Sequence, residues 1–272
     1  MKKFVLYMLA GLLMTACTSQ PKSQEKEKAK KVLVLYFSVT NTTKQLAEYI
    51  HEKVGGDIEA IEAVNPYPAD FEATAARWQE ELKANALPDI KPLKANINDY
   101  DIIFLGYPIW GDRYPLTIKT LIKTGALNGK VVVPFATSGS SSVKQSVAEL
   151  KKDVPTIQVT NAFCVRSVLM DKLPLLVDRE LITLGLIEGE NEVLPDYSEM
   201  REPTAEEVAL FEQSFADYPR MAGTKAVSVA SRNTPRGIDY KFVGENNGTK
   251  MDIFVTKEKG DVAPYFTAVD RS

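Results

Sequence analysis

The feature that most constrains the fold is an alternation of short apolar runs with amphipathic segments between residues 31 and 186. Continuous apolar runs are typical of strands buried on both faces, and they predict five strands, at 32–37, 58–64, 102–105, 131–135 and 157–168. Apolar residues at helical spacing predict the helices between and after them, at 46–54, 71–82, 115–123, 143–150 and 173–184. This order predicts an α/β fold with a doubly wound parallel sheet, since strand–helix–strand crossovers are right-handed and cover both faces.

Composition narrows the function classes. Of the 272 residues, 44% are hydrophobic and 25% are charged, which is ordinary for a globular protein. The net charge of −3 lacks the basic footprint of a nucleic-acid binder, so we expect no nucleic-acid partner. Two cysteines are too few for a disulfide scaffold or a cysteine zinc site, and we predict no metal site. Cys164 falls in the apolar fifth strand and is predicted to be an inert core thiol.

The first seventeen residues predict an export signal. A basic start at 1–3 precedes an apolar run at 4–14 that is too short, at about 1.5 Å per residue, to cross a hydrocarbon core of about 30 Å. Residues 1–16 therefore predict a lipoprotein signal peptide, because 13–17, Leu-Met-Thr-Ala-Cys, resembles the bacterial lipobox. Cys17 would be lipidated; a signal with an incidental cysteine is the alternative. We expect an exported bacterial lipoprotein, anchored on the periplasmic or outer surface, with residues 17–30 as a flexible tether.

In a parallel sheet, ligands bind at the carboxyl ends of the strands, so the loops there are the candidate site. In the first loop, 38–43, five of six side chains carry hydroxyl or amide groups, and a helix follows at once. Hydroxyls, backbone N–H groups and the helix dipole together make a phosphate site. The alternative is that Thr40 or Thr42 only caps the helix. The sequence has neither a P-loop nor a G-x-G-x-x-G motif after this strand, which disfavours nucleoside triphosphatases and dinucleotide-binding Rossmann domains.

Two further loops follow the third and fourth strands. Residues 106–115 contain three aromatic side chains, two prolines and two glycines, which predicts a rigid turn with flat apolar faces for a planar ring. The alternative is a tryptophan buried under the loop. Residues 136–142 are small and rich in donors, and taken alone they could be a flexible loop.

Together the loops resemble those of the flavodoxin family, in its bacterial flavodoxin-like branch. The resemblance rests on Tyr-Phe-Ser-Val-Thr-Asn-Thr-Thr at 36–43, Gly-Tyr-Pro-Ile-Trp-Gly at 106–111, Thr-Ser-Gly-Ser at 137–140 and Asn-Pro-Tyr-Pro at 65–68. It covers roughly residues 31 to 186. It implies a flavodoxin-like doubly wound five-stranded parallel sheet and FMN as the cofactor.

The resemblance also assigns roles to residues. It gives the phosphate to four hydroxyl side chains of the first loop: Ser38, Thr40, Thr42 and Thr43. It lines the ring and its polar edge with residues of the other two loops: Tyr107, Pro108, Ile109, Thr137, Ser138, Gly139 and Ser140. Trp110 would stack on the isoalloxazine ring, with the Gly111 backbone near N5. Asn41 stands where the family's S-x-T-G-N-T loop has glycine, and asparagine tolerates the positive φ that this turn needs.

These assignments imply a tethered electron-transfer protein whose chemistry comes from the flavin, with no catalytic side chain. The aromatic side chains of the loop at 106–115 and the carboxylate of Asp112 would disfavour a reduced FMN anion and so lower the potential of the flavin. The partner would be a redox protein, or NAD(P)H or a quinone if the chain is instead an NAD(P)H-dependent flavin or quinone reductase. Arg113 and Tyr114 could steer such a substrate, or could simply form the helix-start turn. A binder that has lost FMN is a third possibility.

The chain continues past the predicted FMN domain at 31–190. A linker with a helix is predicted at 191–222, where Thr204 and Glu207 form a capping box, and a small β module at 223–272. Its strands are predicted at 226–230, 237–243, 251–256 and 262–269, with a turn at 246–248, Asn-Asn-Gly. About 50 residues are marginally stable alone, so we expect the module to dock on the FMN domain or on a second subunit. The module could have a purely structural role, covering part of the FMN domain, or it could provide a binding surface for a partner protein.

Overall fold

The computed structural model describes residues 30–260 and 263–271. The predicted signal peptide, the lipidation site Cys17 and the predicted tether up to residue 29 lie outside the described residues. Within the described ranges, no helix is long and apolar enough to cross a membrane.

The centre of the molecule is a parallel sheet. Its strands are β1 (Val32–Tyr36), β2 (Asp57–Ala60), β3 (Ile102–Pro108), β4 (Val131–Ser138), β5 (Gln158–Val159) and β6 (Phe163–Arg166). They lie in the order β2-β1-β3-β4-β5, and β6 also pairs with β4, parallel like the rest. The doubly wound parallel sheet predicted from the sequence is confirmed. The predicted fifth strand is two segments, because Asn161 takes a left-handed φ of 46° between them and interrupts the pairing.

Helices cover both faces of this sheet. They are α1 (Thr42–Val54), α2 (Phe71–Ala84), α3 (Leu116–Lys123), α4 (Lys144–Asp153) and α5 (Leu173–Thr183). Alternate residues of β1 enter two separate cores: Leu33 and Leu35 pack on one face, Val34 and Tyr36 on the other. This two-sided burial is why the strand sequence is continuously apolar.

Helix α2 differs from its expected role. Residues 71, 75, 78 and 82 form an apolar stripe typical of a helix facing the core, yet Thr74 is the one buried residue of α2. The Phe71 side chain is 68% exposed. Three residues of the stripe, Phe71, Ala75 and Trp78, instead line a surface opening at the carboxyl end of the sheet.

The C-terminal part forms a four-stranded antiparallel sheet. A helix, α6 (Ala205–Gln213), starts with the predicted capping box, in which Thr204 and Glu207 bond each other's backbone N–H groups. The strands are β7 (Lys225–Thr234), β8 (Gly237–Asn246), β9 (Thr249–Glu258) and β10 (Tyr265–Arg271), in the order β10-β9-β8-β7. The predicted turn joins β8 to β9, with positive φ at Asn247 and Gly248.

The C-terminal sheet is bonded to the loop after β4. The Val269 N–H donates to the Ser140 carbonyl at 2.7 Å, and the Ser142 N–H donates to the Val269 carbonyl at 3.2 Å. The Arg166 side chain is only 1% exposed and bridges the same boundary. Its Nε donates to the Gly139 carbonyl at 2.9 Å and its Nη1 to the Phe266 carbonyl at 3.1 Å. The loop after β4 is therefore fixed by hydrogen bonds from the Val269 backbone of the C-terminal sheet and from the Arg166 side chain of the parallel sheet.

Candidate functional site

Two adjoining clefts open at the carboxyl end of the parallel sheet. They share a wall of six residues: Phe71, Thr74, Ile109, Trp110, Ser138 and Gly139. The loop cleft is completed chiefly by residues of the β1–α1 loop and the end of β4: Ser38, Val39, Thr40, Thr42, Thr43 and Thr137. The aromatic cleft is completed by residues from five different segments, among them Trp78, Gly111, Asp112, Ser140, Ser141, Tyr218, Arg220 and Arg271.

The β1–α1 loop offers an anion site at the start of α1. Asn41 has a φ of 65°, which turns the chain so that α1 begins directly at Thr42. No side chain caps this helix, which removes the alternative reading of Thr40 and Thr42 as caps. The first-turn N–H groups of a helix have no carbonyl partner within it, so they and the loop hydroxyls can serve an anion. Thr43 is committed to structure, since its hydroxyl lies 2.7 Å from that of buried Thr137.

The loop after β3 makes a tight turn that presents Trp110. The backbones of Trp110 and Arg113 exchange hydrogen bonds at 2.9 and 3.1 Å, around positive φ values of 55° at Gly111 and 64° at Asp112. Positive φ at both central residues is the type I′ geometry. Glycine is also required by packing, because a Cβ at position 111 would lie 2.6 Å from Cη2 of Trp78.

Trp110 is half-buried and is oriented by other aromatic rings. Its ring centroid lies 5.8 Å from that of Phe37, 5.1 Å from Tyr67 and 6.2 Å from Trp78, all edge-to-face. Such contacts stabilise one ring orientation beyond simple burial. Because Trp110 also lines both clefts, the alternative of a tryptophan hidden under its loop does not hold.

A charged cluster lies at the polar end of the aromatic cleft. Arg271 Nη2 lies 3.2 Å from Ser140 Oγ, and its Nη1 lies 3.4 Å from Ser141 Oγ and 3.6 Å from Asp112 Oδ1. The Ser141 hydroxyl donates to the same Asp112 oxygen. The negative charge of Asp112 is therefore compensated by a guanidinium from the C-terminal sheet.

The sequence of the parallel-sheet domain matches a family profile described as flavodoxin over residues 31–174. The chain belongs to the flavodoxin family. The match ends before the C-terminal sheet begins.

Several solved flavoprotein structures are similar to about half of the chain. A flavoprotein from Bacteroides eggerthii is 38% identical, with 54% of this chain and 98% of that chain covered and a TM-score of 0.47. One from Bacteroides uniformis is 35% identical, with 51% and 92% covered and a TM-score of 0.47. A flavoprotein from Lactobacillus acidophilus, solved in complex with FMN, is 26% identical, with 53% and 98% covered and a TM-score of 0.46. No curated protein sequence matches the chain significantly.

The structure brings most of the sequence-predicted site residues of this flavodoxin together. Those that line a cleft are Ser38, Thr40, Thr42, Thr43, Pro108, Ile109, Trp110, Gly111, Thr137, Ser138, Gly139 and Ser140. Asn41 shapes the turn and is not part of either lining. Tyr107 is fully buried, with its hydroxyl 3.2 Å from Ser146 Oγ, and does not line the clefts. The reason is that β3 continues to Pro108, so Tyr107 is a core residue of the strand.

Arg113 and Tyr114 lie outside both clefts. Arg113 Nε donates to Glu149 Oε2 at 2.9 Å, a hydrogen bond that raises the pKa of the Arg113 guanidinium. Tyr114 is buried, and its hydroxyl donates to Asp153. Burial, the larger cause, and this hydrogen bond both raise the pKa of the phenol. Both side chains are thus committed to α4, which favours the helix-start role over substrate steering.

Sequence reasoning missed two groups of lining residues. The first is three residues of α2, Phe71, Thr74 and Trp78. The helical spacing of the apolar residues in α2 was the available signal, but it is also that of a core-facing helix. The second is Tyr218, Arg220 and Arg271, for which the sequence holds no local signal, since only tertiary packing brings them to the cleft.

The donors of the clefts fit FMN. The loop cleft offers uncapped N–H groups and hydroxyls for a phosphate, and the aromatic cleft offers Trp110 for a flat ring. Trp78, which lines the aromatic cleft, has an indole Nε1 that is buried without a hydrogen-bond partner among the described residues, as are His51 Nδ1 and Thr117 Oγ1. Buried N–H groups almost always find an acceptor, so the Trp78 side chain has a donor available to a bound ligand.

Proposed function

We propose that this flavodoxin-family chain binds FMN across the two clefts and acts as an electron-transfer protein. The observation that carries the proposal is the convergence of three loops on one opening, with an uncapped helix start at one end and Trp110 at the other. The phosphate would lie at Ser38, Thr40 and Thr42. Family membership supports the same cofactor.

Each part of the site has a separate task in this proposal. Bound FMN supplies the redox chemistry, as flavins do in other proteins. The start of α1 holds the phosphate through N–H groups and hydroxyls without any lysine. Trp110 orients the ring and keeps water from one side of it, while Ser138 and Ser140 offer hydrogen bonds at its polar edge.

A carrier is favoured over a reductase because Arg113 and Tyr114 bond to α4 and not to the clefts. The purified full chain should show a flavin absorption spectrum after FMN is added and free FMN removed. Mixing it anaerobically with NADPH or NADH should leave the flavin oxidised over the time in which a reductase would complete many turnovers. Dithionite, in contrast, should bleach the flavin. Fast bleaching by either nucleotide would instead support the NAD(P)H-dependent flavin or quinone reductase.

We also propose that lipidated Cys17 tethers the protein to a membrane after export. The support is the sequence alone: a short apolar run followed by a lipobox-like string. Mass spectrometry of the protein purified from bacterial membranes should find a mature chain that begins at a lipid-modified Cys17. The Cys17→Ser variant should lose the lipid and leave the membrane fraction. An unmodified Cys17 in the exported protein would contradict the tether.

A further inference from the structure

We infer that the C-terminal sheet is part of the flavin site and that Arg271 is its redox-tuning residue, a fixed cation at the polar edge of the ring. The inference rests on the proposed FMN site and deepens it, because it says what sets the potential there. Arg271 lies beyond residues 31–174, the part of the chain that matches the flavodoxin family.

The position of Arg271 is built by several contacts. Val269, two residues before it, is hydrogen-bonded to the Ser140 and Ser142 backbones. The Arg271 carbonyl accepts a hydrogen bond from Gln145 Nε2. Its guanidinium then reaches the side chains of Ser140 and Ser141, at 3.2 and 3.4 Å. These bonds hold both ends of the residue, so the charge occupies a defined place and is not a free surface arginine.

The surrounding charges determine the sign of the effect. Asp112 faces Arg271 at 3.6 Å and compensates part of its charge. The neighbouring Asp270 is engaged elsewhere, with Ser142 and with Lys144 at 3.6 Å. Arg220, which lines the same cleft, adds a second cation, with its guanidinium carbon 5.9 Å from the centre of the Phe71 ring. The lining of the aromatic cleft thus has two arginines against one aspartate, and the cleft is net positive.

A net positive cleft stabilises the reduced cofactor. Two electrons and one proton convert oxidised FMN to a reduced form whose ring carries one more negative charge. A guanidinium beside the ring favours that charge by coulombic attraction in a partly water-excluded cleft. Asp112 is expected to lower the potential of the flavin. Arg271, a residue of the C-terminal sheet, offsets that effect in this chain.

The experiment compares the affinity of oxidised and of reduced FMN in the full chain. Dithionite supplies the electrons, and the midpoint potential is read against a reference dye at equilibrium. Arg271→Met should weaken the binding of reduced FMN about ten-fold more than the binding of oxidised FMN. For a two-electron couple this difference lowers the midpoint potential of the bound flavin by about 30 mV. Arg271→Lys should retain most of the wild-type ratio. Lys225→Met, which removes an exposed cation of the same sheet away from the cleft, should not change it.

A second variant tests the sign independently of Arg271 folding effects. Asp112→Asn should shift the potential in the opposite direction, since it removes the compensating anion, and asparagine tolerates the φ of 64° at that position. An equal loss of affinity for both FMN forms in Arg271→Met would mean a merely structural role and overturn the inference. If the wild-type chain binds no FMN at all, the proposed function itself is contradicted. If it binds FMN but the Arg271→Met and Asp112→Asn variants have unchanged potentials, only this inference is contradicted.

Discussion

Arg271 Nη1 lies 3.6 Å from Asp112 Oδ1, so the last strand of the C-terminal sheet meets the turn that presents Trp110. The contact joins the part of the chain that matches the flavodoxin family to the part that does not. It places an ion pair at the end of the aromatic cleft and makes the C-terminal sheet a wall of the candidate site.

The ion pair should contribute little to stability. The Arg271 and Asp112 side chains are 37% and 27% exposed, and pairs that contact water contribute about 0.2–1 kcal/mol. A double-mutant cycle with Arg271→Met and Asp112→Asn should therefore give a coupling free energy of unfolding below about 1 kcal/mol. Urea denaturation measures it. A coupling several times larger would show that the pair is chiefly a structural element.

Arg166 should matter far more for stability. Its guanidinium is fully buried, and burial, only partly offset by Asp217, lowers its pKa. Arg166→Met would leave the Gly139 and Phe266 carbonyls without their donor, which should lower the free energy of unfolding by about 3 kcal/mol. Arg220→Met removes an exposed arginine and should change it by less than about 0.5 kcal/mol. Similar urea midpoints for the two variants would contradict this account of the boundary.

Gly111 should be required for both its backbone conformation and its fit against Trp78. Gly111→Ala places a Cβ at positive φ and 2.6 Å from the Trp78 ring, so Trp78 must move and FMN affinity should fall about ten-fold. The matched control is Gly129→Ala, which has a similar φ of 71° but nothing within 4 Å of the new Cβ. It should cost about 1 kcal/mol of stability and leave FMN affinity unchanged. Equal affinities in the two variants would exclude a steric role for Trp78.

Cys164 should be unreactive in the folded protein. The Cys164 side chain is half-buried, and burial raises the pKa of its thiol to about 12. Its sulfur lies 3.4 Å from Ser138 Oγ. The raised pKa means that the neutral thiol stabilises the fold fully below pH 9, the ordinary value, and that this contribution is lost as the pH rises toward 12. In a Cys17→Ser background, a disulfide reagent at pH 8 should label Cys164 far more slowly in the native protein than after unfolding. Equal labelling rates would contradict the raised pKa of the thiol.

Sequence patterns predicted the architecture well because both faces of the parallel sheet are buried, and continuous runs such as 32–37 allow few other structures. The three loops were also predictable, since Ser38, Trp110 and Ser138 follow strands whose carboxyl ends share one edge. Tyr107 was misplaced because the end of β3 is set by pairing with β4, not by the local pattern. The helical spacing of the apolar residues in α2 does not distinguish a helix that lines a cleft from one that faces the core. Arg271 reaches the aromatic cleft through tertiary packing alone and has no local sequence signal.

The most direct test of the account is a fluorescence titration of FMN with the full chain. We predict that flavin fluorescence is quenched to an end point at one FMN per chain, because Trp110 stacks on the ring. Trp110→Leu should weaken binding at least about ten-fold. Tyr107→Phe should bind like wild type, since the lost hydroxyl bonds to Ser146 outside the clefts. A chain that leaves flavin fluorescence unchanged at every ratio would contradict the central claim.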